Sequence, residues 1–333
     1  MKKITLVAAV AVSLAVSAGI ATAAGQLKGA GSSFVFPLVS QWQAKYKGAQ
    51  IVYSPIGSGA GINAISSRTV DFGASDAPLT KDQAAAGHGL VQMPWALSAT
   101  SIPYHVPGVG YGLKLTGPIL ADIYLGKIKR WNDKRIGKLN PGVKLPSLGI
   151  TPVFRSDASG TSYNFTDYLS SVSSGWQHKV GVGTQPAFPK GVGASKSSGV
   201  AAAVSRTDGA IGYVDVAYAL KNHFQVAKIQ NRAGKFALPG WRGIGAAAST
   251  VKRVPGNGAI SIVNPPKSKP LAYPICTFTW VLVPKKTHRA SDLRKFIKWA
   301  ATSGQQYGKP LLFYPLPKVV VKYDLATVKK LRS

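Results

Sequence analysis

Residues 155–162 read Arg-Ser-Asp-Ala-Ser-Gly-Thr-Ser and connect an apolar run at 150–154 to a helical pattern. After this stretch, apolar side chains recur at i, i+3, i+4 and i+7, namely at Phe165, Tyr168, Leu169 and Val172. This spacing predicts a helix with one buried face. Ser159, Gly160 and Thr161 then lie at the helix N-terminus, where backbone N–H groups lack partners and the dipole is positive. The stretch therefore predicts an anion-binding turn between a strand and a helix.

Arg155 opens this turn with a planar guanidinium that suits a tetrahedral oxyanion, and Asp157 is spaced to hold that guanidinium in place. The same residues also fit a simpler interpretation. Ser159 would then be an ordinary N-cap, and the Arg-Asp pair would lie on the surface. The stretch alone leaves both interpretations open.

Two further turns rich in Gly and Ser lead into helical patterns, at residues 29–34 (Gly-Ala-Gly-Ser-Ser-Phe) and 57–61 (Gly-Ser-Gly-Ala-Gly). In the first, Ser32 and Ser33 are candidate caps or anion donors. Residues 70–78 predict a short strand that ends in a tight turn containing Asp76. Ligand groups gather at the carboxyl ends of strands in α/β proteins. The three turns and the carboxylate therefore predict one shared site.

Later segments give weaker signals. Residues 118–138 carry apolar residues at helical spacing and predict one helix, and residues 209–214 predict a strand. The apolar run at 274–284 predicts a buried strand, and residues 291–302 predict an amphipathic helix. Residues 222–275 show little periodicity and carry no assignment.

The N-terminus is typical of a secretory signal peptide. Lys2 and Lys3 precede an apolar run at 4–20, and Ala-Thr-Ala at 21–23 forms a small-residue cleavage site before Ala24. We expect residues 1–23 to be removed and the protein to be exported to the periplasm. Cys276 is the only cysteine, so the chain cannot form an intramolecular disulfide.

The charge balance is strongly basic, with 41 Lys and Arg against 11 acidic residues, all Asp, and a formal net charge of +30. Such a balance can indicate nucleic-acid binding. The basic residues are scattered, however, and the densest cluster, at 127–138, fits the exposed face of a helix. We therefore expect no nucleic-acid partner. The absence of Glu suggests instead an exported protein adapted to acidic medium, although anion capture and docking would also explain the charge.

An enzyme is not favoured. The five histidines are isolated, and neither a Gly-x-Ser-x-Gly elbow nor a P-loop occurs. We expect no catalytic residues, no metal site and no cofactor.

Six segments together resemble the phosphate-binding proteins of bacterial phosphate ABC transporters: residues 29–34, 57–61, 70–78, 122–128, 155–161 and 209–214. The resemblance runs from about residue 28 to 221 and resumes near Cys276. It implies an α/β fold of the two-lobed periplasmic binding protein type II, in which each lobe is a mostly parallel sheet flanked by helices. Residues 24–101 and 276–333 would form lobe 1, and residues 102–275 would form lobe 2. A monomeric solute-binding protein would close around inorganic phosphate in the cleft and deliver it to an inner-membrane permease.

The resemblance also implies residue roles. The Ser33 hydroxyl and the Phe34 N–H would donate to phosphate, with Ser32 lining the turn, and Ser58 would donate from the second turn. Asp76 would be the acceptor. Arg155, paired with Asp157, would bind the anion together with donors from Ser159, Gly160 and Thr161. The sequence departs from the family pattern at Ser33, where Thr is frequent, at Ala158, where Gly is usual, and in the crossover at 98–105.

Asp76 would set the choice of anion. Phosphate keeps at least one proton at ordinary pH, whereas sulfate has none. An ionised Asp76 can accept that proton, but against sulfate it would present an unpartnered like charge. Sulfate or molybdate binding is the nearest alternative function, followed by a phosphatase, and Asp76 argues against both anions.

Overall fold

A computed structural model describes residues 25–333 of the chain, so the predicted signal peptide at 1–23 lies outside the described residues. The strands are β1 (Gln26–Gly31), β2 (Gln50–Ser54), β3 (Phe72–Ser75), β4 (Leu90–Ser101), β5 (Pro103–His105), β6 (Lys114–Leu115), β7 (Thr151–Arg155), β8 (Val192–Ala194), β9 (Ala210–Ile211), β10 (Val214–Asp215), β11 (Gln225–Val226), β12 (Lys228–Gln230), β13 (Phe236–Ala237) and β14 (Cys276–Pro284).

The helices are α1 (Phe36–Lys45), α2 (Ser58–Ser66), α3 (Lys81–Ala86), α4 (Gly117–Tyr124), α5 (Lys134–Leu139), α6 (Gly160–Val172), α7 (Ser174–Lys179), α8 (Lys196–Arg206), α9 (Val216–Lys221), α10 (Trp241–Ala248), α11 (Ala290–Ala301) and α12 (Lys318–Val328), with a 3-10 helix at Ser303–Leu311. Among residues 25–333, no helix combines the length and the apolar character that crossing a membrane requires.

The first sheet has six strands in the order β10-β4-β14-β3-β1-β2. β1 runs parallel to both β2 and β3, whereas β14 runs antiparallel to β3 and β4. Every residue of β14 is buried, as its continuous apolar run predicts. One core on this sheet is aromatic, with edge contacts that join Trp42, Phe72, Trp95 and Phe296.

The second sheet has five strands in the order β11-β5-β9-β7-β8, in which β7 is parallel to β8 and β9. Helix α6 packs against it through Phe165, whose ring stacks on Tyr213 at 4.4 Å between centroids. A three-stranded sheet, β13-β12-β6, adds to this half. The chain passes between the two large sheets four times: at 101–103, at 211–214, between β10 and β11, and before 276.

Several predictions of local structure are confirmed. Helix α6 begins at Gly160, within the turn predicted for its N-terminus. The helix predicted at 291–302 is α11, which lies one residue earlier in the chain. The strand predicted at 274–284 is β14, which covers most of that range. The unassigned stretch 222–275 contains β11, β12, β13 and α10.

Three predictions need correction. The single helix predicted at 118–138 is wrong, because α4 ends at Tyr124 and Gly126 adopts a left-handed φ of 74°. The strand predicted at 209–214 is two strands, since β9 joins the second sheet and β10 pairs with β4 in the first. The sheets are mixed rather than mostly parallel, because β10 and β14 run antiparallel to β4 in the first sheet and β5 runs antiparallel to β9 and β11 in the second.

Candidate functional site

The predicted turns meet where the two large sheets face each other. The turns after β1, β2 and β3 come from the first sheet, and the turn after β7 comes from the second. The Gly59 N–H donates to the Ala158 carbonyl at 2.9 Å, which joins the two sides directly. Ser32, Ser33, Ser58, Asp76, Arg155, Ser159 and Thr161 are all buried at this junction.

Asp76 follows β3 and is only 1% exposed. Its Oδ1 accepts hydrogen bonds from Ser32 Oγ at 2.5 Å and Thr279 Oγ1 at 2.7 Å, while Ser58 Oγ lies 3.4 Å from Oδ2. Burial raises the pKa of Asp76 to about 6, and the hydroxyl donors and the Arg155 charge offset part of that rise. The residue is thus a buried carboxyl group that still ionises at neutral pH.

Arg155 ends β7, and its side chain is 2% exposed. Its Nε and Nη2 donate to the two carboxylate oxygens of Asp157 at 2.6 and 2.5 Å. Partial burial raises the pKa of Asp157, but the hydrogen bonds and the charge of Arg155 outweigh this effect and hold that pKa below its usual value. The pair is therefore a two-point ion pair in which Arg155 is buried and Asp157 is 21% exposed, and the interpretation of a pair on the surface is wrong for Arg155.

The N-terminus of α6 is capped as ordinary helices are. Ser159 Oγ accepts from the Ser162 N–H at 3.2 Å, so the N-cap interpretation of Ser159 is confirmed. Thr161 Oγ1 lies 3.5 Å from Arg155 Nη1, which places its hydroxyl beside the guanidinium. A cap at Ser159 and an anion-binding turn are compatible, since the Ser159 hydroxyl accepts from the Ser162 N–H and leaves the Gly160 and Thr161 N–H groups to an anion.

Gly160 makes a close approach across the junction. A Cβ atom at this position would lie 2.7 Å from Asp76 Cβ and 2.7 Å from Ser58 Oγ. Any larger residue would therefore push the α6 turn away from Asp76. The absence of a side chain is what lets the two sides come together here.

The turn after β1 has a hydrogen-bond pattern that its sequence does not reveal. Ser32 Oγ gives its single proton to Asp76 and accepts from the Phe34 N–H at 3.0 Å and the Val35 N–H at 3.2 Å. In this arrangement Ser32 orders the turn rather than donating to an anion. An anion would have to share the Phe34 N–H with Ser32. Ser33 Oγ contacts Ser197 on the opposite side, at 3.1 Å from both its N–H and its Oγ.

Four residues of the site were missed in the sequence. Thr279 contacts Asp76, Ser197 contacts Ser33, and the Tyr213 hydroxyl accepts from the Arg155 N–H at 3.0 Å. Asp215 is buried nearby and caps α9 by accepting from the Ala217 N–H at 2.8 Å. Burial raises the pKa of Asp215 well above its usual value. The one usable signal was Thr279, because a hydroxyl within a fully buried strand needs a partner.

Comparison with known proteins identifies the family. The model of the PBP superfamily domain matches residues 16–303. The phosphate-binding protein PstS of Xylella fastidiosa (strain Temecula1) is 41% identical over 304 residues, which cover 89% of this chain and 83% of that protein. This chain belongs to the PstS family of the PBP superfamily. The PstS of Pasteurella multocida is 37% identical over 310 residues, which cover 91% of this chain and 90% of that protein.

The fold of this PstS-family chain also matches solved structures. A high affinity periplasmic phosphate-binding protein, PfluDING, solved with bound phosphate, aligns with a TM-score of 0.72 at 20% identity. The alignment covers 91% of this chain and 93% of that one. The likeness confirms the predicted fold class, the two-lobed type II fold. Within residues 25–333, no cluster of three or more His, Cys or Asp side chains is arranged to hold a metal ion.

We expect Gly160→Ala to prevent close contact between the two sides of the site. Overpacking at this point should cost the closed form about 1–3 kcal/mol, which is roughly a fivefold to 150-fold shift toward an open form. Small-angle X-ray scattering with excess inorganic phosphate should then give a larger radius of gyration than the parent protein. The control is Gly199→Ala on α8, where the nearest atom to the added Cβ is 3.6 Å away. Identical scattering from all three proteins would contradict the expectation.

Proposed function

We propose that this protein binds inorganic phosphate between its two lobes and delivers it to an inner-membrane ABC transporter permease for uptake. The observation that carries the proposal is the buried carboxylate of Asp76, which faces the buried guanidinium of Arg155 across the junction of the two sheets. The names of the PstS relatives support the same ligand.

Arg155 and the neutral donors would supply the attraction for the anion. Asp157 engages Nε and Nη2, and Nη1, which has a long contact of 3.5 Å to Thr161 Oγ1, would turn to the anion. The Thr161 and Ser58 hydroxyls, the Ser33 hydroxyl and the first N–H groups of α6 would provide further donors. Within each lobe the fold fixes these donors before the anion arrives, so ordering their side chains costs little when the lobes close.

Asp76 would select phosphate over sulfate. Its ionised form has no proton to give, so it can only accept a hydrogen bond from an anion that carries one. Phosphate offers this proton, whereas sulfate would leave two buried like charges in contact. The same argument disfavours molybdate. We therefore propose a binding protein with no catalytic residue, rather than a phosphatase.

The lobes would move about the four segments that connect the sheets. In this proposal residues 24–101 and 276–333 form lobe 1 and residues 102–275 form lobe 2. Strand β10 belongs to the second range but pairs with β4 of the first sheet, with Asp215 opposite Thr100. This pairing would anchor lobe 2 beside the hinge. The protein would be exported, lose residues 1–23 and act in the periplasm as a monomer.

Replacing Asp76 by Asn tests this role. We expect Asp76→Asn to weaken phosphate binding by about tenfold or more, because a hydrogen bond to a charged group is lost. The amide can donate to a bare oxygen, so sulfate binding should improve and the phosphate-to-sulfate ratio should fall. Isothermal titration calorimetry with both anions measures this. Asp82→Asn, an exposed carboxylate on α3, is the matched control. Unchanged selectivity in Asp76→Asn would refute the role of Asp76.

The pKa of Asp76 also predicts how selectivity depends on pH. Above a pH of about 6 the carboxylate is ionised and accepts, and below it the protonated group can donate to sulfate. Discrimination should therefore be present at neutral pH and fall as the pH decreases through about 6. Tryptophan fluorescence titrations with phosphate and sulfate from about pH 8 to about pH 5 measure this. A ratio that stays constant over this range would contradict the prediction.

A further inference from the structure

The two oxygens of Asp76 have different surroundings. Oδ1 accepts two short hydrogen bonds, from Ser32 Oγ at 2.5 Å and from Thr279 Oγ1 at 2.7 Å. Oδ2 has only Ser58 Oγ, at 3.4 Å, and this hydroxyl also accepts from the Asp76 N–H at 3.3 Å. The strong donors therefore saturate one oxygen and leave the lone pairs of the other available.

Thr279 reaches this position through long-range strand pairing. It lies on β14, 203 residues from Asp76 along the chain, and β14 pairs antiparallel with β3 so that Trp280 faces Ser75. On its other side β14 pairs with β4, and the register shifts between Thr279 and Trp280. Pro94 faces Trp280 at this shift and cannot donate to the ladder. Irregularities of this kind often re-aim a side chain next to a functional site.

The chemistry of a hydroxyl limits what Thr279 can do. A threonine has one O–H proton, and here that proton goes to Asp76. Thr279 is therefore not a donor to the anion. Its contact fixes the rotation of the carboxylate, so that Oδ1 faces the interior of lobe 1 and Oδ2 remains for the ligand.

We propose that Thr279 is a positioning residue that determines anion specificity, by holding Asp76 so that Oδ2 accepts the proton of the bound anion. The proposal rests on the phosphate function proposed above. Without the Thr279 hydroxyl, the carboxylate would keep one strong donor, would rotate more freely and would present a less defined acceptor.

Other charged and titratable groups near Asp76 also influence its pKa. The charge of Arg155 on β7 lowers the pKa of Asp76, as do the hydrogen bonds from Ser32, Ser58 and Thr279, against the larger effect of burial. Asp215 on β10 and the Tyr53 hydroxyl on β2 are buried close enough for Asp76 to raise their own pKa values. Replacing Thr279 leaves the other groups around Asp76 in place, so a shift in the pKa of Asp76 reports the lost Thr279 hydroxyl.

Three variants of the full mature protein test the proposal. Thr279→Val keeps the shape of the side chain and removes the hydroxyl, and Thr279→Ser keeps the hydroxyl. Thr277→Val is the matched control, because Thr277 is buried on the same strand but its hydroxyl donates to the Phe278 carbonyl at 3.0 Å. Each variant is titrated with phosphate and with sulfate by calorimetry. In parallel, the pKa of Asp76 is followed by ¹³C NMR of the carboxyl carbons in the anion-free protein.

The composition makes the NMR experiment practical. The chain has 11 Asp and no Glu, so the carboxyl region is sparse, and Asp76→Asn identifies the resonance. Thr279→Val should raise the pKa of Asp76 and lower the phosphate-to-sulfate affinity ratio by about tenfold. Thr279→Ser and Thr277→Val should behave like the parent protein.

An unchanged ratio and an unchanged Asp76 titration in Thr279→Val would overturn the proposal. Equal losses of affinity for phosphate and sulfate would also overturn it, since that result describes a structural role only. If the parent protein bound no phosphate, the proposed function would fail, but the Asp76 titration would still decide whether Thr279 controls this carboxyl group.

Discussion

The rest of this structure depends on one constraint. A carboxylate on one sheet and a guanidinium on the other are both buried. Neither Asp76 nor Arg155 has access to water, so each needs hydrogen-bond partners within the protein. Ser32 and Thr279 partner Asp76, and Asp157 partners Arg155. The two carboxylates outnumber the guanidinium, so the site is not a positive pocket. An anion would be held there by oriented neutral donors and one arginine, and its proton would be required.

The excess of basic residues lies outside this site and not within it. Three of its few carboxyl groups, Asp76, Asp215 and Asp324, are buried, which leaves the surface more basic than the composition alone implies. Burial raises the pKa of all three. A folded state with raised carboxyl pKa values binds protons more tightly than the unfolded chain, so these groups stabilise the fold as the pH falls. A gain in stability at lower pH agrees with adaptation to acidic medium, which stays a prediction.

Local signals in the sequence were sufficient for most of the site. Gly-Ser turns, the position of Asp76 after a strand and the buried face of α6 each depend on neighbouring residues, and the fold brings these segments together as strand topology predicts. Ser197 could not be found this way, and Thr279 only as a buried hydroxyl in need of a partner, because their contacts depend on register between distant segments. The helix predicted at 118–138 failed since its apolar spacing continues past Gly126, where the backbone turns. Nothing in the sequence indicated that Ser32 would give its proton to Asp76.

A crystal structure of the mature protein grown with inorganic phosphate would show whether Asp76 accepts from the bound anion. We expect one phosphate between the sheets, with an oxygen about 2.5–2.7 Å from Asp76 Oδ2 and another oxygen bonded to the Arg155 guanidinium. Ser32 and Thr279 should still donate to Oδ1. Phosphate bound at another place, or bound between the sheets without contact to Asp76, would show that Asp76 is not the acceptor.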